Sequence, residues 1–363
     1  MKKRWTIFLL ILLWIWPIQI EAATLPAEIE EALPQEAQEL LKELDTETPD
    51  HRALEEGGSL LWEKACSSLG EIIRERLSSV VLLLCVVLLC AVADDCFQAV
   101  GNSEVRNIVP MAGILAITLI AAGNLKSLLG IGVTTIEQLE IFSKALLPTL
   151  AAAVAASGGI VSAGTKQVAT VIFAELVISL IRNLLLPLLY FYIGTAAAAA
   201  MLPEQRLERI AAGICKGITW ILTGSLVLFT GYLTISGAVT GSADELTIQL
   251  TRSAIGTAVP VVGNIINDAT LSVLSGASIL KNSIGVVGML SILAVCLLPF
   301  LHLGIQYLLY KLAAFLAGSI GTDTLMKLID ALGTAFGLIL GMTGTSALLL
   351  LISIASSVSV NVG

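Results

Sequence analysis

Glu175, Ser179 and Arg182 lie at helical spacing and form one polar stripe in an apolar part of the chain. A carboxylate in such a stripe could line a cavity or relay protons, or simply anchor an interfacial helix between Lys166 and Arg182. Asp268 and Lys281, with Asn264, Asn267 and Asn282, make 258–290 the most polar part of the apolar body. Residues of these types hold ions or substrates in discontinuous membrane helices, and they equally satisfy backbone groups freed around Pro260. His302, inside a long apolar run, reads as a hydrogen-bonded core residue before it reads as a ligand. Gly333, Gly337 and Gly341 recur every fourth residue, a small-residue ridge that lets a second helix approach closely, within the chain or from a partner.

None of this amounts to a catalytic constellation. No HExxH, GxSxG, P-loop or GxGxxG pattern occurs, and His51 and His302 are the two histidines. The six cysteines contain no CxxC pair, and Cys66 alone falls in the segment read below as exported. No cofactor, metal site or disulfide is therefore expected.

The elements that must position these residues follow from composition. The chain is 56% hydrophobic and 13% charged, against roughly 45–50% and 25% in soluble domains. Mean hydropathy is +0.92. That excludes a soluble globule, a disordered chain and a disulfide scaffold, and leaves a polytopic membrane protein. The net charge of −8 resides in residues 21–76, where 15 acids face 5 bases; the chain beyond is nearly neutral. No basic face exists for nucleic acid.

Residues 1–23 read as a signal: Lys2, Lys3 and Arg4 precede an apolar run to Ile20, then Ala22 and Ala23. Residues 24–76 read as an acidic, amphipathic helical ectodomain. Its apolar stripe (Ile29, Leu33, Ala37, Leu40, then Leu61, Ala65, Leu69 and Ile72) must be buried on something, and a partner is the expected cover. Residues 77–363 read as the membrane domain. Its runs free of Asp, Glu, Lys and Arg are 77–93, 107–125, 145–165, 183–203, 217–243, 282–310 and 331–363, each near the roughly 17–25 residues a span requires. Residues 167–181 qualify apart from Glu175. Residues 253–280, rich in Gly, Ser, Thr and Asn, suit a broken or re-entrant element sheltered within protein. The fold class is thus all-α, a bundle of seven to nine membrane helices behind a short helical ectodomain. Counting five crossings from an exported N-terminal segment puts Arg206, Arg209 and Lys216 inside, as positively charged loops require. Pro148 and Pro187 are 39 apart, as are Pro260 and Pro299, which suggests an internal duplication as readily as chance among apolar segments.

The order of parts, together with AVPVVGNIINDATLSVLSGASILKNSIGVVGML (258–290) and LLPFLHLGIQYLLYKLAAFLAG (297–318), resembles the stage III sporulation protein AE family. The resemblance implies a non-enzymatic membrane component of the transenvelope complex joining mother cell to forespore in an endospore former. It would lie in the mother-cell membrane with its ectodomain in the intermembrane space. Implied partners are an ATPase, ring-forming subunits and a forespore protein of that complex, beside the lipid bilayer; no active-site residues are implied. The alternative is an autonomous permease for a small solute, built around Glu175 and 253–280.

Overall fold

The computed structural model describes residues 29, 32–43, 51–100, 108–158, 168–202, 205–258, 263–320 and 323–358. The signal segment 1–23 lies outside the described residues. The elements are α1 (Gln35–Glu43), α2 (His51–Val100), α3 (Ile108–Ala156), α4 (Val168–Leu180), a π-helical turn (Ile181–Leu185), α5 (Leu186–Met201), α6 (Gln205–Ala258), α7 (Gly263–Ser319) and α8 (Asp323–Val358). No strand occurs among the described residues. A chain this apolar must satisfy its backbone polar groups within each segment, and helices do so.

Taking α4, the π turn and α5 as one rod, seven rods result, and six of them are long and apolar enough to cross a membrane. Six candidate spans are fewer than the seven to nine membrane helices expected, α1 belonging to the N-terminal segment, because the apolar runs outnumber the rods that carry them. Runs 107–125 and most of 145–165 share the unbroken α3, and a straight rod cannot cross twice. Runs 167–181 and 183–203 likewise share one rod, joined through the π turn. Pro187 explains that turn: it has no N–H to donate, and its ring would crowd the carbonyl of residue 183 in a regular α-helix. The N–H of Leu186 bonds instead to the Ile181 carbonyl, five residues back. Segment 253–280 is divided between the end of α6 and the start of α7, and residues 259–262 lie outside the described ones. Pro299 sits inside α7, whereas Pro187 opens α5, so the paired prolines do not occupy matching local structures.

α7 and α8 form the central pair and are the most buried rods, while α2 is the least buried. Glycines set the spacing. A Cβ on Gly333 would stand 3.1 Å from Tyr310 Cβ, and one on Gly337 would stand 3.0 Å from the Tyr307 ring. Gly341 faces α6 instead, 3.8 Å from Leu222 Cδ1. The ridge thus packs within the chain. Gly132 of α3 admits Ile339 of α8, whose Cγ1 would lie 2.5 Å from an added Cβ.

Charges divide the bundle lengthwise. On α2, 17 residues separate Arg76 from Asp94, about 25 Å at 1.5 Å per residue. Leu77, Val81, Leu82, Leu88, Leu89 and Val92 are exposed along that stretch. Exposed Met111, Leu115 and Leu119 on α3 and Leu308, Leu312 and Phe315 on α7 continue the belt. Such a belt fits a hydrocarbon layer about 30 Å thick.

Beyond Arg76 the bundle has a second apolar level, and the N-terminal segment covers it. α2 runs unbroken through the boundary expected at 76/77. Ile29, Leu33, Ala37, Leu40, Ala53 and Leu61 are buried in one cluster with Phe142 and Leu146 of α3 and Leu290, Ile292 and Val295 of α7. The expected partner for this stripe is therefore the chain's own membrane domain. Each buried Leu or Ile is worth roughly 1.5–3 kcal/mol, and four of these six residues, Ile29, Leu33, Leu40 and Leu61, are of that kind.

Filling the α3–α8 crossing tests this packing. Gly132→Leu should lower the thermal midpoint in detergent, since overpacking costs about 1–3 kcal/mol. Gly123→Ala, whose Cβ would meet no atom within 4 Å, should leave the midpoint unchanged or slightly raised.

Candidate functional site

A large cavity opens at the end of the bundle where α5 stops, α6 starts, α7 ends and α8 begins. Its volume is about 860 Å³. The sequence explains the space. Residues 196–200 are five consecutive alanines, and Ala196, Ala199 and Ala200 line the cavity opposite Ala211 and Ala212 of α6. Where neighbouring rods carry only methyl groups, the backbones do not close the gap.

Polar side chains from four rods meet there. Lys311 of α7 is the centre: its Nζ lies 2.7 Å from Asp330 Oδ1 and donates to Thr334 Oγ1 at 2.9 Å. The same ammonium stands 5.9 Å from the centroid of the Tyr307 ring, within cation–π range. Tyr192 of α5 donates its hydroxyl to the Ala331 carbonyl at 3.2 Å. At the rim, Lys327 of α8 meets Glu208 of α6 at 2.6 Å. Cys215 and Lys216 of α6 complete the polar lining. The arrangement offers a paired cation and carboxylate beside hydroxyls, in a volume within the roughly 300–1,000 Å³ typical of small-molecule pockets. It provides binding chemistry. Among the described residues no group of three or more His, Cys, Asp or Glu could hold a metal ion.

The residues singled out from sequence lie elsewhere. Glu175 is exposed on the outer side of α4. Arg182, in the π turn, reaches across to α3, 3.1 Å from Glu137 and 3.3 Å from Glu140; Glu140 also holds Lys144 at 2.7 Å. Ser179 accepts a hydrogen bond from Asn183 at 2.9 Å. The stripe of Glu175, Ser179 and Arg182 is thus divided, its cation drawn into an interhelical ion-pair network on the outer surface. Asp268 lies within α7, and its side chain is outside the described residues. Lys281 is buried on α7, 1% exposed. His302 is half-buried, its Nδ1 3.4 Å from Arg76 Nη2.

Reading charges as the ends of spans is what concealed Lys311 and Asp330. Each bounds a charge-free run, 282–310 and 331–363, and so looked like a terminus. The available signal was Lys311 itself, a single cation in YLLYKLAAFLAG with apolar residues on both sides.

A helical bundle with six candidate spans among the described residues, an alanine-lined polar cavity and a docked amphipathic N-terminal segment defines a helical membrane protein. The profile of the stage III sporulation protein AE family matches residues 54–361, and the chain belongs to that family. Stage III sporulation protein AE of Bacillus subtilis is 23% identical over 250 residues, covering 69% of this chain. The match spans 63% of the length of that relative. No solved structure matches the chain.

The Lys311–Asp330 pair can be weighed by a mutant cycle. Lys311→Met strands the carboxylate and should destabilise the protein by about 0.5–1 kcal/mol, a half-exposed pair being partly screened. Lys311→Met with Asp330→Leu should recover most of the loss, since removing both partners leaves no charge unpaired. Thermal midpoints in detergent measure both effects.

Proposed function

We propose that this chain is a non-enzymatic, multi-pass component of the transenvelope complex between mother cell and forespore, assembled there with an ATPase, ring-forming subunits and a forespore partner. Its family membership supports a sporulation role. The observation that carries the assembly reading is the outward face of the ectodomain helix. With the Ala53, Leu61, Ala65 and Ile72 stripe occupied by the chain itself, the opposite face of α2 is the one free to meet another protein. The surface outside the stripe bears Trp62, 72% exposed, with exposed Glu55 two turns away on the same side and exposed Glu56, Glu63 and Glu71 spread around the rest of the helix. A tryptophan left outside the apolar belt among carboxylates fits docking onto a basic, partly apolar protein surface.

The same reading places the N-terminal segment in the intermembrane space of the mother-cell membrane. Three rods then cross before α6, which puts Arg206, Arg209 and Lys216 on the cytoplasmic side. Five crossings would have put them on that side too, because merging two pairs of runs preserves parity. The alanine-lined cavity opens on that side.

Trp62→Ala, and separately Glu55→Lys with Glu56→Lys, should lose recovery of the partner proteins with the affinity-purified chain while its thermal midpoint stays unchanged. Partner recovery at the wild-type level from both variants would remove the assembly reading.

The cavity favours a second reading, an autonomous permease for a small solute. In that case proteoliposomes made with this chain alone should carry a solute flux that Lys311→Gln and Asp330→Asn abolish. Absence of flux across a broad panel of small polar solutes would eliminate it.

A further inference from the structure

A file of polar side chains runs inside the apolar band, away from the lipid-facing belt and distinct from the cavity. His302, Gln306 and Tyr310 recur every fourth residue on α7 and so stack on one face. Arg76 of α2, 9% exposed, stands over the upper end with its Nη2 3.4 Å from His302 Nδ1. Asn124 of α3 closes the lower end, its Nδ2 3.5 Å from the Tyr310 hydroxyl.

The middle of the file is incomplete. Gln306 is 0% exposed. Neither its Oε1 nor its Nε2 has a hydrogen-bond partner among the described residues, and the same is true of the buried Arg76 Nε. The Tyr310 hydroxyl is near enough to the amide to interact with it, yet it is not placed to form a hydrogen bond of ordinary geometry. Buried polar groups are nearly always satisfied, by protein or by ordered water. What is left over here is one acceptor, the amide donors and a guanidinium donor. An anion would answer only the donors and a cation only the acceptor, whereas water donates and accepts. Internal waters of this kind typically make about three hydrogen bonds, which the two ends of the Gln306 amide and the Tyr310 hydroxyl beside it can supply.

We propose that Gln306 is the centre of an internal hydration site, whose bound water joins its amide to the Tyr310 hydroxyl in the file between Arg76 and His302 above and Asn124 below. The file then forms a wet seam between α2, α3 and α7, ending at Tyr310 and Asn124. In a band whose other buried polar groups are mainly hydroxyls turned back on their own helices, this seam is where protons or small polar species could enter the interior of the bundle.

Radiolytic hydroxyl-radical labelling of the purified full-length chain in detergent tests this, because radicals formed from bound water modify the side chains beside it. Tyr310 should be oxidised several-fold faster than Phe336, which is equally buried and packs edge-on against it at 5.1 Å. Gln306→Leu should slow the Tyr310 reaction and lower the thermal midpoint, since it displaces the water and takes that partner from the Tyr310 hydroxyl. Tyr310 and Phe336 reacting alike in the wild-type chain would overturn the proposal without any variant. So would a raised midpoint in Gln306→Leu, the expected result if the amide sits in a dry interior.

Discussion

Where α7 and α8 run side by side, Gly333 and Gly337 leave no Cβ between α8 and the Tyr310 and Tyr307 side chains. In lipid, apolar side chains gain little from one another's company, and close packing with interhelical polar ties is what holds rods together. The α7–α8 pair supplies both. Glycine permits the approach, and Lys311 bonds Asp330 and Thr334 across the gap. α3 adds to the pair through Gly132, and α6 through Leu222 beside Gly341. α5 attaches through the Tyr192 hydroxyl on the Ala331 carbonyl. Loss of that central apposition would leave the outer rods without a surface to pack on.

The same constraint accounts for the way polar groups are distributed. Ion pairs at the two ends of the apolar band are partly open, as with Arg182 on Glu137 and Glu140 at one end and Lys327 on Glu208 at the other. Hydroxyls within the band fold back on their own helices; Thr343 and Ser346 of α8 bond the carbonyls four residues earlier. Against that background, the unsatisfied amide of Gln306 is an exception needing an occupant, while the alanine run of α5 is an exception of volume.

The docked N-terminal segment changes how the two halves of the chain relate. Seen as sequence, 24–76 is an acidic appendage whose stripe requires a partner. In the fold it is a cover for the outer apolar level of α3 and α7, continuous with α2 through Arg76. One helix carries both the docking stripe and the first candidate span.

How much was legible beforehand can be judged element by element. Composition and charge-free runs determined a helical membrane bundle, because hydrocarbon thickness and backbone satisfaction leave few other structures for such a chain. The glycine ridge at 333, 337 and 341 was also readable, since spacing of four on a helix implies one face. The number of rods was not, because continuity across 126–144 and across Pro187 depends on the ion pairs Arg182 makes with Glu137 and Glu140 and on a π turn that accommodates the ring. Nor was the site. Lys311 and Asp330 lie 19 residues apart and meet only when α7 folds back on α8, and the unsatisfied state of Gln306 is a property of what surrounds it. Periodicity and hydropathy are local quantities carried by the chain itself; which rods merge, which charges meet and which cavity stays open are set by packing between segments distant in sequence.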